Sequence, residues 1–328
     1  MQGSEQVQNI MSKTIVWDNH ACMPMRPGDE SFLPQLQRHR NAGVNMVVVN
    51  IYYDLFEPHL AFGMLATLRH WVQNHSSDYV LVDTVADIEQ AKKDGKLAIA
   101  FDIEGCNAVA ENPGMVELFY RLGVRWMLIA YNKNNKIGGG CLDDDCGLTD
   151  YGKTVIDEME RVGMLLCCCH TGYRTAREAI EYSTKPVMYS HANPLALCDH
   201  PRNIPDDLIT ACAETGGIIN INGVRRFLNN DISTENIVRN IDYLVNLVGP
   251  DHVGIGLDYV YDQEEYLAHV RARPDIFSGI FKEGDQLFVE PERFPDIAEA
   301  LLKSGYKEEH VQGILGHNNL RVARQVWK

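Results

Sequence analysis

The sequence predicts an α/β fold, a (β/α)8 TIM barrel, and three observations carry that expectation. Short apolar runs rich in Val, Ile and Leu alternate with segments of helical apolar spacing, the pattern of βα units around a parallel sheet. The runs fall around 14–19, 44–51, 97–103, 124–130, 163–169, 186–190, 217–222 and 253–257, and eight is the strand number of such a barrel. A length of 328 residues with 45% hydrophobic content suits a single barrel domain over residues 1–328.

Taken in order, residues 1–12 (MQGSEQVQNIMS) are expected to be a disordered tail; they carry an acidic group and no apolar core of a secretory signal. Between the runs, helices are marked by their own punctuation. Thr84 leads Ile88 and Ala91 before Gly95, and Pro113 leads Val116, Phe119 and Leu122 before Gly123. Val155, Ile156, Met159 and Val162 share a helical face ahead of Gly163, and Ile237, Val238, Ile241, Leu244 and Val248 do so ahead of Gly249. Two stretches leave the βα rhythm: KNNKIGGGCLDDDC after the fourth run, and Tyr259 to about Pro295 after the eighth. In a barrel both emerge at the C-terminal face, so both are expected to act as substrate lids.

A formal net charge of −15 and no basic run exclude a nucleic-acid backbone as partner, and disfavour an anionic membrane surface. No segment approaches the roughly 20 apolar residues of a spanning helix, and the terminal RVARQVWK does not resemble a lipid-anchor tail. Nine cysteines without a CxxC pair fit a reduced cytoplasmic location. The run Cys167-Cys168-Cys169 reads as small strand packing.

Metal-competent side chains stand where several runs end: Asp18-Asn19-His20-Ala21-Cys22, Asp102-Ile103-Glu104, His170, Ser190-His191 and Asp258. A barrel brings the C-terminal ends of its strands together, so residues distant in sequence can share one small volume. His170, His191, Glu104 and the His20-x-Cys22 pair suit one or two Zn²⁺ ions, and Asp258 is placed to take the proton of an activated water. Singly, a strand-end histidine is more often structural than a ligand. As a set they share no packing reason to end so many buried strands.

The same segments carry a resemblance. WDNHACMP, FDIEGCN, GVRWMLIAYNKNN, GLTDYGKTVIDEMERVGMLLCCCH, SHANPLALCDHPRNIPDD, HVGIGLDY and GHNNLRV resemble the membrane dipeptidase family, peptidase family M19, over about 300 residues. The resemblance implies a metal-dependent amide hydrolase on a barrel of the metallo-dependent hydrolase type. It implies that Glu104 bridges two metals, that His170 and His191 ligate one and His20 the other, and that Asp258 handles the proton of the bridging water. Arg202, in HPRNIPDD, resembles the arginine that holds the carboxylate of a small-molecule substrate, a task suited to a guanidinium fork. A homodimer is also implied.

Three positions depart from the family. Cys22 stands where the family has Asp, so either its thiolate ligates zinc and a two-metal centre survives, or only the Glu104/His170/His191 site fills; packing at the barrel mouth is the bland alternative. Tyr131 stands where the family has a histidine that polarises the substrate carbonyl; its phenol can donate to the oxyanion, or the ring can simply wall the site. His317 replaces a glycine, and Asn318 beside it is expected to cap the last helix. The expected activity is hydrolysis of a dipeptide or small N-acyl amino acid. The alternatives are another small amide, lactam or ester, and a catalytically silent relative that binds a metabolite or partner.

Overall fold

The computed structural model describes residues 3–109, 111–273 and 286–328. Among the described residues, ten strands form one wholly parallel sheet: β1 (Trp17–Cys22), β2 (Met46–Tyr53), β3 (Tyr79–Leu81), β4 (Leu97–Glu104), β5 (Val124–Leu128), β6 (Leu165–Cys167), β7 (Met188–Tyr189), β8 (Ile218–Ile221), β9 (Val253–Ile255) and β10 (Tyr259–Val260). The order is β10-β1-β2-β4-β5-β6-β7-β8-β9, with β3 pairing β4 off that path. All eight expected runs hold a strand. The first is displaced, because Thr14, Ile15 and Val16 are buried before the strand begins, so His20 and Cys22 lie within β1 rather than beyond its end.

Two strands escaped the sequence reading. Residues 98 and 99 of β4 pair both β2 and β3, so β3 takes the edge that β5 takes further along, at residues 101–103. Three residues long, β3 is too short to show a period. The other is the continuation of the eighth strand. β9 pairs β8, the chain breaks over 256–258, and β10 resumes beside β1 with Ala21 opposite Tyr259. This interrupted strand closes the ring.

Gly256 sits at the break because a Cβ there would stand 2.1 Å from the Ser190 carbonyl oxygen. Leu257 N–H donates to Asp18 Oδ1 at 2.9 Å, and Asp258 N–H to the His20 carbonyl at 3.0 Å. Asp18 is held in turn by His39 Nε2 at 3.0 Å, whose Nδ1 meets Tyr261 Oη at 2.7 Å. A buried Asp–His–Tyr chain therefore clamps both sides of the break.

The helices follow their punctuation. Thr84 closes a reciprocal capping box on helix Val85–Lys93, Gly163 ends helix Asp150–Val162 at φ 95°, and Ser233 caps helix Thr234–Val248. Cys167, Cys168 and Cys169 are buried in the core. The expected disordered tail is corrected: Glu5–Lys13 is a helix, capped by Ser4, because Val7 and Ile10 bury their side chains completely. Asn318 does not cap the last helix. It is the first residue of Asn318–Val326, and its side chain donates to the carbonyls of Pro250 and Val253. Of the second expected lid, helix Gln263–Ala272 is seen, while residues 274–285 lie outside the described residues. Among the described residues no helix is long and apolar enough to cross a membrane.

Candidate active site

Side chains two apart on a strand share a face, and this parity puts the chemistry into the barrel mouth. His20 and Cys22 project together from β1, as do Asp102 and Glu104 from β4. His170, His191 and Asp258 lie just past β6, β7 and β9, which end at Cys167, Tyr189 and Ile255. His170 and Asp258 take left-handed backbone at φ 59° and 56°, as does Asn132 at 61°. Such backbone costs about 1 kcal/mol each, and aims side chains that ordinary strand geometry would turn elsewhere.

The structure brings His20, Cys22, Glu104, His170, His191 and Asp258 together. Glu104 Oε1 lies 3.2 Å from His170 Nε2, 3.2 Å from His191 Nε2 and 3.5 Å from His20 Nε2. His170 Nε2 and His191 Nε2 are 3.1 Å apart. Cys22 Sγ is 3.3 Å from His20 Nε2 and 3.5 Å from Asp258 Oδ1. The donor atoms of His20, Cys22 and Asp258 lie within 4.8 Å of one another, as do those of His20, Glu104 and His191.

Each imidazole is oriented from behind by a residue the sequence reading gave no role. His20 Nδ1 meets Asp102 Oδ2 at 3.0 Å, and Asp102 Oδ1 accepts from Asn50 Nδ2 at 2.7 Å. His170 Nδ1 meets Asn132 Oδ1 at 2.7 Å, an oxygen that also accepts from Cys141 Sγ. His191 Nδ1 meets Ser190 Oγ at 2.8 Å; that hydroxyl donates to Cys169 Sγ and accepts from Cys167 Sγ. With their Nδ1–H groups so engaged, the Nε2 atoms of His170 and His191 are left as lone pairs. They face a carboxylate oxygen that has no hydrogen-bond partner among the described residues. Acceptors facing acceptors need a cation between them.

The protonation equilibria divide the cluster, with His20 favoured as the cation and His170 and His191 as neutral rings. Burial opposes a charge on His20, but Cys22, Asp102 and Glu104 outweigh it and hold its pKa well above the ordinary value. Burial, with the charges of Arg202 and His20, pushes His170 and His191 well below theirs. Burial raises Glu104 well above a usual carboxyl and raises the Cys22 thiol. Asp258 Oδ2 accepts from Asn222 Nδ2 at 2.9 Å, another contact the sequence did not flag. Behind the site, Asp54 accepts from Asn107 N–H and Asn135 Nδ2, both at 3.0 Å, which ties together the loops after β4 and β5. Gly105, at φ 107°, makes room for it, since a Cβ there would stand 2.2 Å from Asp54 Cγ.

Above the cluster opens a cavity of about 830 Å³, part of it open to solvent, with Glu104, His170, Tyr131, Arg202 and Asp258 in its wall. Arg202 is buried, yet its Nε and Nη2 have no hydrogen-bond partner among the described residues. Its guanidinium lies 5.2 Å over the Phe227 ring. Tyr131 lies flat on His170, ring centroids 4.2 Å apart. Leu142, from the first expected lid, also lines the cavity.

A closed parallel barrel whose strand ends converge imidazoles, a thiol and carboxylates under a cavity is the architecture of the metal-dependent hydrolase barrels. The chain belongs to the membrane dipeptidase family, peptidase family M19, whose model matches residues 4–286. It is 27% identical over 271 residues to dipeptidase tcpJ of Claviceps purpurea, covering 81% of this chain and 59% of that protein. It is 29% identical over 273 residues to an uncharacterized dipeptidase of Schizosaccharomyces pombe, covering 79% and 60%. The chain thus spans about three-fifths of those relatives' length. Among solved structures, an amidohydrolase from Pseudomonas aeruginosa superposes with a TM-score of 0.87 at 28% identity, covering 98% of this chain and 99% of that one.

Proposed function

We propose that the chain hydrolyses the amide bond of a dipeptide or small N-acyl amino acid, with zinc held at the histidine cluster. The observation that carries this reading is the convergence of three imidazole Nε2 atoms on Glu104 Oε1, which has no hydrogen-bond partner among the described residues, beneath the buried Arg202, whose Nε and Nη2 have none either. The donor set fits a divalent cation: neutral imidazoles, a carboxylate and a thiol suit Zn²⁺ better than the hard, oxygen-seeking ions. His170, His191 and Glu104 would hold one ion, and His20, Cys22 and Glu104 a second. The Cys22 thiol, held protonated by burial in the free chain, would ligate as thiolate. Bound there, the ion supplies a Lewis acid that polarises the amide carbonyl and brings the pKa of a coordinated water toward 7.

The chain's own groups do the rest. Arg202 grips the substrate carboxylate with its two free N–H faces and fixes the amide over the cluster. Asp258, one oxygen anchored by Asn222, uses the other to take the proton of the attacking water. It then passes that proton to the leaving nitrogen, so that adding water and breaking the C–N bond yields an acid and an amine. Burial keeps the Tyr131 phenol protonated, and therefore able to donate to the developing oxyanion. All nine cysteines are unpaired, which fits a reducing compartment such as the cytoplasm.

Metal analysis of the purified protein beside Cys22→Asp, with turnover of dipeptides and N-acyl amino acids before chelation, after it and after adding zinc, tests the reading. Turnover should vanish with the metal and return with zinc. Full turnover by metal-free protein would overturn the proposal. Two ions per chain in the parent would show that Cys22 sustains the second site; one in the parent and two in Cys22→Asp would show that it does not.

A further inference from the structure

The cavity above the histidines carries charge of both signs, in different parts of its wall. Arg202 and Arg226 lie over the Phe227 ring, 5.2 and 5.3 Å from its centre, and both line the cavity. Elsewhere the wall is acidic and aromatic. Asp262 caps helix Gln263–Ala272 and Glu265 lies in its first turn; both line the cavity, with side chains only 16% and 20% exposed. His269 stands four residues after Glu265, on the same face of that helix, and its Nδ1 is 3.3 Å from Tyr53 Oη. Tyr53 leads on to Tyr131, ring centres 5.1 Å apart, and Tyr131 stacks on His170 at 4.2 Å. A run of aromatic faces therefore joins the acidic helix to an imidazole of the cluster.

A single cation answers the acids at the roof end of this run. Arg26 meets Asp262 at 3.0 Å and Glu265 more closely, and it also meets Asp29 at 2.9 Å. Among the described residues no other salt bridge reaches any of the three carboxylates. One positive charge against three negative ones leaves this part of the wall net negative. The surplus is felt along the aromatic run: burial, then the charges of Cys22, Glu104 and Glu265, push the Tyr53 phenol up. A cation entering here meets negative charge and the face of a phenol ring, which together replace much of the water it leaves.

We propose that this acidic, aromatic part of the cavity takes the side chain of the substrate's N-terminal residue, and that the substrate is a dipeptide whose N-terminal residue is basic, a lysine or an arginine. The inference rests on the amide-hydrolase reading and narrows it. The carboxylate sits at Arg202, the scissile amide over the histidines, and the side-chain cation between the Tyr53 ring and Glu265. An attraction of this kind, at a site partly open to water, corresponds to about tenfold in kcat/KM.

The test uses three substrates on the zinc-loaded protein: Lys-Ala, norleucyl-alanine, which keeps the four-carbon side chain and lacks its ammonium, and N-acetyl-alanine. Lys-Ala should exceed norleucyl-alanine in kcat/KM by about tenfold. Glu265→Gln, which removes one negative charge beside Arg26, should cut that lead to about threefold or less, as should Tyr53→Ala; Tyr53→Phe, which keeps the ring face, should preserve it. The lead is a ratio measured within one variant, so a general loss of fold or of zinc cancels from it. Norleucyl-alanine turned over as well as Lys-Ala, turnover of N-acetyl-alanine alone, or a lead that Glu265→Gln leaves unmoved overturns the inference while the hydrolase reading stands. Zinc-loaded protein that cleaves none of the three overturns both.

Discussion

Arg125 and Arg202 lie at opposite ends of one barrel and are about equally buried, at 2% and 5% exposure. At the N-terminal end, Arg125 Nη1 donates to the carbonyls of Tyr120 and Val124, and Nη2 to the backbone and side chain of Asp83. Its plane is stacked between Tyr120 and Trp327, at 4.4 and 5.5 Å. Lys92, also at that end, spreads its ammonium over the Met11 and Thr14 carbonyls and Asn45. At the C-terminal end, Arg202 leaves Nε and Nη2 without a partner among the described residues, and so does Glu104 its Oε1. Desolvating an ion costs several kcal/mol, so the fold offsets the cost at one end and leaves it open at the other. Burial alone does not separate a structural charge from a functional one; the number of acceptors that meet it does, since Arg125 leaves only Nε without a partner while both of its terminal nitrogens are engaged.

Substitutions at the two ends should therefore fail in opposite ways. The largest effect is expected from Glu104→Gln, which removes the charge on which three imidazoles converge. Turnover should fall about a thousandfold or more, with metal content reduced and the melting temperature unchanged or raised. Unchanged metal content and rate would break the comparison at its centre.

Next comes the arginine pair. Arg202→Met should raise KM about a hundredfold for carboxylate substrates with little loss of stability. Arg125→Met should leave KM alone and cost about 2–3 kcal/mol in denaturant unfolding, because four accepting oxygens lose their donor. If both variants lost stability equally, the number of engaged acceptors would not be the distinguishing feature.

The smallest effect is a pH slope. Burial, then the charges of Arg226 and Arg202, lower the His200 pKa from 6.5 to about 4. Between those values the unfolded chain takes up a proton that the folded one refuses, so stability falls as pH drops from 6.5 toward 4. Thermal unfolding across that window should be flatter in His200→Gln than in the parent, and equal slopes would remove this contribution.

Much of the frame was legible because it is local. Runs such as MVVVNIYY and LAIAFDIE carry enough apolar side chains to announce buried parallel strands, and their ends delivered His20, Glu104, His170, His191 and Asp258 to one place. What was not legible is non-local or brief. Asn132 and Ser190 orient His170 and His191 across 38 residues and one residue respectively, and neither residue type declares such a role in sequence. Asp102 could have been found by strand parity with Glu104. The N-terminal helix was hidden because only Val7 and Ile10 mark its buried face, a signal too thin beside six polar neighbours. β10 was missed because the eighth strand stops and restarts around Asp258, and a break in an apolar run reads as its end.

That break bears on how the protein comes into being. The seam between β1 and β10 joins parts of the chain so distant that Cys22 and Asp258 are 236 positions apart, and contacts of such span form late because the intervening loop must first be ordered. Closing the seam is also the act that sets Asp258 beside His20. A nascent or partly refolded chain can therefore acquire most of its helices and strands while remaining inert, and the appearance of activity would time the last stitch of the ring.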